Sequence, residues 1–150
     1  FVVAPHEMDE GRINKIIAAT KAGAVRYTRC DATTDFGSTQ VLILDTIGIL
    51  SSVYSYAEWS YIGGGFGVGI HNTLEAAVYG MPVVFGPNWR KFREARGLIE
   101  AGASISVKNY RELAAALDRA FATQQQMGQA AADDVQSELG ATERIYSEIF

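Results

Sequence analysis

Residues 63–87, GGGFGVGIHNTLEAAVYGMPVVFGP, constrain the fold of this chain more than any other stretch. The stretch follows directly on a predicted strand at 59–62 and contains a second at 83–85, and the apolar residues of both are typical of buried strands. The five glycines between positions 63 and 69 predict a loop whose backbone a ligand can approach closely. Asn72 stands where a helix is predicted to begin, because good helix formers follow it. The stretch therefore predicts a strand, a glycine loop, a helix and a second strand in succession.

The same stretch suggests a binding site for a phosphate-bearing ligand. A glycine loop facing a helix start offers unpaired N–H groups and the positive end of the helix dipole. Asn72 and Glu75 are three residues apart, so both project from the first turn on roughly one face. A carboxylate there can accept two hydrogen bonds from a sugar diol. The pattern fits a nucleotide site, and it equally fits an ordinary strand-to-helix turn in which Glu75 complements the dipole.

Composition narrows the class of protein. The chain has 150 residues, 48% of them hydrophobic and 20% charged, which predicts a single soluble globular domain with a real core. A net charge of −4 argues against a nucleic-acid partner, and no apolar run is long enough to span a bilayer. The single cysteine, Cys30, predicts no internal disulfide and favours a reducing compartment.

Strands and helices alternate along the whole sequence, which predicts an α/β fold. We expect a Rossmann-like, doubly wound parallel sheet with helices on both faces and a helical C-terminal tail. The predicted helices begin after Asp9, at 49, at Asn72, at 88 and after Asn109. Gly23 is predicted to end the first of them. Two further helices are predicted in the tail up to Phe150, and they are separated near Gly140. The predicted strands are 1–4, 24–29, 41–45, 59–62, 83–85 and 103–107.

In such sheets the ligand lies beyond the carboxyl ends of the strands. Thr46 offers a hydroxyl there, and Gly48 and Ile49 offer backbone N–H groups to an anion. His6 is placed to meet a base, although a lone histidine at a strand end is more often structural. His71 either faces the ligand or caps the helix. The spacing of acidic and histidine residues predicts no metal site, and no catalytic triad is recognisable.

Three blocks of the sequence are distinctive together: residues 4–7 (APHE), 45–50 (DTIGIL) and 63–92 (GGG…HNTLEAA…GMPV…GP…F). In that order they resemble the 3-deoxy-D-manno-octulosonic acid (Kdo) transferases of lipopolysaccharide biosynthesis in Gram-negative bacteria. The similarity runs from position 1 to about 107, and the tail matches only in helical character. The resemblance implies that residues 1–150 are the nucleotide-sugar (donor) binding domain, one half of a two-domain GT-B glycosyltransferase.

The resemblance also implies the partners of the whole enzyme. The donor would be CMP-Kdo, the acceptor a lipid A precursor, and no metal or other cofactor would be required. The acceptor domain, with the catalytic carboxylate and the membrane anchor, is expected in a missing amino-terminal part. We therefore expect the full enzyme at the cytoplasmic face of the inner membrane, with membrane contact only through that part. The present domain is expected to be soluble, to hold no catalytic residue and to be inactive alone.

Roles for individual residues follow from the resemblance. Glu75 would hold the ribose, Asn72 and the glycine loop the phosphate, and the helix start at Gly48 further anionic groups. The sequence departs from the family at His6, where arginine is common, and at Thr73, where proline is common. The full set of predicted donor-binding residues is Pro5, His6, Glu7, Thr46, Gly48, Ile49, Gly64, Gly65, His71, Asn72 and Glu75.

Two other functions remain open at this level. A carboxylate on a ribose fits any nucleotide, so the chain could equally be the donor domain of a GT-B transferase that uses a UDP-sugar. It could also be a nucleotide-binding module without chemistry.

Overall fold

The computed structural model describes residues 1–21 and 23–149, which form two compact units, the first covering Phe1–Ser52 and the second beginning at Val53. The strands are Val2–Val3 (β1), Gly23–Arg26 (β2), Thr39–Ile43 (β3), Ser60–Ile62 (β4), Val83–Phe85 (β5) and Ser104–Ser106 (β6). The helices are Glu10–Ala19 (α1), Leu50–Tyr54 (α2), Leu74–Ala77 (α3), Arg93–Glu100 (α4), Tyr110–Ala122 (α5), Gln124–Ser137 (α6) and Ala141–Ile149 (α7).

The first unit is built on a three-stranded parallel sheet in the order β1-β3-β2. Its core forms where Ile13 of α1 packs against Val41 and Ile43 of the central strand. Helix α1 begins as predicted, because the Asp9 carboxylate accepts a hydrogen bond from the Arg12 N–H at 2.9 Å. The first unit therefore contains the helix cap at Asp9 and the strands that the sequence predicts.

Gly23 does not end α1, contrary to the sequence prediction. The helix ends at Ala19, and Gly23 is the first residue of β2. A methyl group on Gly23 would lie 2.6 Å from the Ser38 carbonyl oxygen, so close strand contact explains this glycine. The strand also ends earlier than predicted, since Tyr27–Arg29 form a 3-10 helix.

The second unit contains the parallel sheet β4-β5-β6, and its central strand β5 is completely buried. Successive side chains of β5 point to opposite faces of the sheet and pack in two different hydrophobic clusters. Val83 and Phe85 pack with residues of α3, α4 and α6, whereas Val84 packs with Val107 and with Ala116 of α5. Helices therefore cover both faces of this sheet, as a doubly wound arrangement requires.

The helical tail is confirmed, with a break at Gly140, whose φ is +81°. Phe150, the last residue of the predicted tail, lies outside the described residues. The Rossmann-like α/β class is confirmed, with the parallel strands in two three-stranded sheets. Helix α2, predicted over 49–57, has only five residues, and α4, predicted to begin at 88, begins at Arg93. Helix α3 has four residues and begins two positions after Asn72. Over the described part of the chain, no helix combines the length and apolarity that crossing a bilayer requires.

Candidate functional site

In the second unit, two loops leave the same edge of the sheet. Strands β4 and β5 are parallel with Ile62 opposite Phe85, so the glycine loop (residues 63–69) and the segment after β5 (residues 86–91) emerge side by side. A methyl group on Gly65 would lie 2.7 Å from the backbone N and Cα of Gly86. Gly65 is therefore required by the close approach of the two loops themselves.

Gly64 and His71 define the other side of the glycine loop. Gly64 has a φ of +85°, which only glycine adopts easily, and a methyl group there would collide with the Gly69 carbonyl. The same methyl group would lie 3.3 Å from His71 Nε2, and the His71 N–H donates to the Gly63 carbonyl at 3.1 Å. His71 thus lies against the glycine loop.

Five of the seven carbonyl groups of the glycine loop accept hydrogen bonds. Those of Gly63 and Gly64 accept from His71 and Gly67 backbone N–H groups, and those at 65, 67 and 68 accept from the segment 86–91. By contrast, the N–H groups at positions 64, 66, 68 and 69 have no acceptor among the described residues. Among the described residues, more N–H groups than carbonyl groups of the loop are without a hydrogen-bond partner, which suits an anion site.

Asn72 and Glu75 lie together on the surface, as their spacing predicts. The Asn72 amide Nδ2 donates to Glu75 Oε1 at 3.0 Å, and Asn72 Oδ1 accepts from the Leu74 N–H at 3.0 Å. Asn72 therefore fixes both the start of α3 and the orientation of the Glu75 carboxylate. Glu75 is exposed, and its second oxygen has no hydrogen-bond partner among the described residues.

Helix α3 adds less to an anion site than the sequence suggests. With one turn only, few peptide dipoles align, so the loop N–H groups supply most of the positive potential. Thr73, directly before α3, is completely buried, and its hydroxyl has no partner among the described residues. A proline at this position, common in the resembling family, would have no such hydroxyl to satisfy.

Six of the predicted residues lie in the first unit, after β1 and after β3. These two strands are parallel neighbours, so the positions that follow them share one edge of their sheet. Glu7 is exposed and forms an ion pair with Arg12 at 3.0 Å. Gly48 has a φ of +91° and leads into α2, which begins directly after Ile49. Of the remaining three, Pro5 is buried, His6 is exposed and Thr46 is half-buried.

Asp45, which precedes these loop residues, is committed to the structure of the first unit. Its side chain is only 1% exposed and accepts from Arg26 Nε at 2.7 Å, Thr28 Oγ1 at 2.6 Å and the Thr28 N–H at 2.9 Å. Burial opposes ionisation, but the Thr28 and Arg26 hydrogen bonds hold the pKa of Asp45 well below its ordinary value. Asp45 is therefore a fixed anion that joins β2 to the end of β3.

Each group of predicted residues is thus brought together within its own unit. That both groups contact one ligand stays a prediction. Within the described residues, no three histidine, cysteine, aspartate or glutamate side chains are grouped to hold a metal ion.

Three neighbours of the site are absent from the predicted set of donor-binding residues. Asn88 and Lys91 contact the glycine loop directly, in a segment where the sequence predicts a basic helix whose cations either meet a phosphate or are only solvated. Tyr54 lies near Glu75: burial raises the pKa of Tyr54, and the negative charge of Glu75 raises it further. The contact of Asn88 had a signal in the sequence: a polar residue follows Gly86-Pro87 directly after β5. Because β4 and β5 are parallel, the loops that follow them lie at the same edge of the sheet.

Comparison with known proteins finds similarity to several enzymes that transfer 3-deoxy-D-manno-octulosonic acid. The 3-deoxy-D-manno-octulosonic acid transferase of Rickettsia typhi is 38% identical over 77 residues, which are 51% of this chain and 17% of that protein. The enzyme of the same name from Bordetella pertussis is 33% identical in an alignment 147 residues long, which covers 89% of this chain and 33% of that protein. The chain therefore spans about a sixth to a third of these relatives. They confirm the resemblance seen in the sequence.

A solved structure shows the same fold. The C-terminal CMP-Kdo binding domain of WaaA from Acinetobacter baumannii superposes with a TM-score of 0.75 at 24% identity, covering 90% of this chain and 72% of that one. No protein-family model matches the chain.

Proposed function

We propose that this chain, which is related in sequence to the Kdo transferases, is the donor-binding domain of such an enzyme and binds CMP-Kdo. The observation that carries the proposal is the pairing of two features in the second unit. The glycine loop has unengaged N–H groups, and the Asn72–Glu75 pair follows it within a few residues. One feature suits a phosphate and the other a ribose, which are adjacent groups of a nucleotide.

Each part of the donor has a matching group in this site. The loop N–H groups bind the phosphate that links cytidine to the sugar. Glu75 accepts hydrogen bonds from the ribose hydroxyls, and Asn72 keeps its carboxylate oriented. When the bond between the anomeric carbon and the phosphate oxygen breaks, negative charge grows on the departing CMP, and fixed N–H donors stabilise that charge best. The roles given to the residues of the first unit rest on the family resemblance alone and stay predictions.

The proposed reaction is direct displacement by a hydroxyl group of a lipid A precursor. It needs a general base within hydrogen-bond reach of that hydroxyl. The acidic residues near the predicted loops have other tasks: Glu7 pairs with Arg12, Asp45 pairs with Arg26, and Glu75 is bonded to Asn72. We therefore assign acceptor binding and proton removal to a part of the enzyme outside these 150 residues.

A ligand panel tests the proposal. Residues 1–150 are heated with CMP, UMP, UDP or GDP while unfolding is followed, since a ligand that binds only the native state raises Tm. We expect the largest rise with CMP, together with NMR shifts at Gly64, Gly65 and Asn72. A larger rise with UDP would favour a UDP-sugar donor. No rise with any nucleotide would contradict nucleotide binding by this domain.

A further inference from the structure

Three hydrogen bonds tie the glycine loop to the segment that follows β5. The Asn88 backbone N–H donates to the Gly65 carbonyl at 2.9 Å, and the Asn88 side-chain Nδ2 donates to the Gly67 carbonyl at 2.6 Å. The ammonium group of Lys91 donates to the Val68 carbonyl at 2.7 Å. All three acceptors are main-chain oxygens of one loop, so two residues control much of its backbone.

Lys91 is itself held in place by an aromatic ring. Its Nζ lies 5.2 Å from the centre of the Phe92 ring, within the range of a cation–π contact. Gly69 packs on both side chains: a methyl group there would lie 2.7 Å from the Phe92 ring and 2.9 Å from Lys91 Cε. The end of the glycine loop therefore rests on Lys91 and Phe92.

These bonds determine where the loop N–H groups point. A peptide unit is planar and trans, so its C=O and N–H groups point in opposite directions. Bonds to the carbonyls of residues 65, 67 and 68 therefore turn the N–H groups of Phe66, Val68 and Gly69 away from the segment 86–91. These three N–H groups have no acceptor among the described residues. Asn88 and Lys91 thus orient the N–H groups of the loop through its carbonyl groups, without contacting the ligand of those N–H groups.

We propose that Asn88 and Lys91 are positioning residues, which hold the glycine loop so that the N–H groups of Phe66, Val68 and Gly69 meet the phosphate of the donor. The proposal rests on the proposed function, because it takes the loop as the phosphate site. Lys91 acts through the Val68 carbonyl and not as a charge on the ligand. Arg90 is the matched control, since it is an exposed neighbouring cation whose guanidinium lies over Trp89, 5.6 Å from the ring centre.

The test compares Lys91→Met, Asn88→Asp and Arg90→Met in the chain of residues 1–150. Asn88→Asp keeps the side-chain shape but replaces the donor to Gly67 with an acceptor. The first readout is taken without ligand: NMR shifts and hydrogen exchange of the amides at 66, 68 and 69. The second readout is the affinity for CMP. Tm is recorded for each variant to show that the fold is retained.

We expect Lys91→Met and Asn88→Asp to move the three loop amides in the ligand-free protein and to weaken CMP binding about tenfold or more. Arg90→Met should change neither readout. Weaker CMP binding with unmoved loop amides would overturn the proposal, because Lys91 would then contact the phosphate itself. Moved amides with unchanged CMP affinity would overturn it too, since the loop would then not be the phosphate site. Failure of the unmodified chain to bind CMP would overturn the proposed function, and the positioning role with it.

Discussion

At the scale of single residues, the hydrogen bond between Asn72 and Glu75 links local structure to function. Asn72 has two roles: its carbonyl oxygen caps the first turn of α3, and its amide holds the Glu75 carboxylate. The carboxylate is consequently ordered before any ligand arrives. A ligand that binds an ordered group loses less conformational freedom, which favours affinity.

The first prediction concerns the charge of Glu75. Glu75→Gln keeps the size of the side chain and removes its charge, so hydrogen bonds to ribose become neutral and weaker. Bonds to charged groups are worth about 1.5–3 kcal/mol, so we expect CMP affinity to fall roughly 10- to 100-fold. Isothermal titration with CMP measures this change. Glu100→Gln removes an exposed carboxylate at the end of α4 and should leave the affinity unchanged. Equal affinities in the Glu75 and Glu100 variants would refute the ribose role.

The second prediction separates two glycines of the same loop. Gly65→Ala places a methyl group 2.7 Å from the backbone of Gly86, which cannot rotate away, so we expect a loss of stability of about 1–3 kcal/mol. In Gly67→Ala the nearest atom is the Gly64 carbonyl oxygen at 3.5 Å, an ordinary contact, and the loss should stay below about 0.5 kcal/mol. Urea unfolding of both variants measures the difference. Equal stabilities would show that the loop relaxes away from Gly86.

At the scale of elements, local chemistry decided which predictions succeeded. Caps were predictable, because Asp9 and Asn109 each bond an N–H three residues later. The order of strands and helices was predictable from apolar periodicity. The short length of α3 has a local cause too: residues 74–77 are good helix formers, but Val78 and Tyr79 are weaker ones and Gly80, with a φ of +65°, turns the chain towards β5.

The candidate site contains both predictable and unpredictable contacts. The proximity of Asn72 and Glu75 was predictable, because a spacing of three residues within one helical turn is a local property. The contacts of Asn88 and Lys91 with the glycine loop were not, because they join residues 21 and 23 positions apart. The missing side chain of Gly65 admits the backbone of Gly86, a contact that sequence alone does not reveal.

The third prediction concerns the link between β2 and the end of β3. The pKa of Asp45 is lowered in the folded state, so the carboxylate stabilises the fold above its ordinary pKa of about 3.9 and loses this effect as the pH falls through the lowered folded value. Asp45→Asn should therefore lower Tm clearly at pH 7. The gap between the two proteins should narrow as the pH falls from about 5 towards 2. Circular dichroism melts at several pH values measure the gap.

Asp118→Asn on the exposed side of α5 is the control for this series. It removes an aspartate without touching the first unit, so its melting curves should follow those of the unmodified protein at every pH. A gap for Asp45→Asn that stays constant down to the lowest pH would contradict the charged role of Asp45. The loss would then come from altered packing around Arg26 and Thr28.

At the scale of the whole molecule, the fourth prediction concerns metal ions. CMP carries one phosphate group, which a few backbone N–H groups can neutralise without a divalent cation. We therefore expect the CMP affinity of residues 1–150 to change by less than about twofold when EDTA is added, a difference below about 0.4 kcal/mol. Titrations with EDTA, and with magnesium restored, test this. A loss of affinity with EDTA that magnesium reverses would overturn metal-independent binding.

The last prediction concerns catalysis. Donor binding and transfer are separable, because transfer also needs an acceptor hydroxyl held in line and a base within reach of it. In this chain the carboxylates in or beside the predicted donor-binding segments, those of Glu7, Asp45 and Glu75, are each engaged with another side chain. Effective positioning of two reactants supplies a large part of the rate of such a step, and under the proposed function this chain positions the donor only. We therefore expect residues 1–150 to bind CMP and yet to form no Kdo-bearing product.

The assay incubates residues 1–150 with CMP-Kdo and a lipid A precursor and follows the products by mass spectrometry. The same reaction with a longer chain, in which residues 1–150 are joined to the remainder of the enzyme, is the positive control. Product from the longer chain alone would support the proposed division between donor binding and acceptor activation. Introducing Glu75→Gln into that longer chain should then reduce product formation, because the donor site is shared. Product from residues 1–150 above the protein-free background would instead place a general base within this chain. Glu7, the exposed carboxylate paired with Arg12, would then be the first residue to substitute.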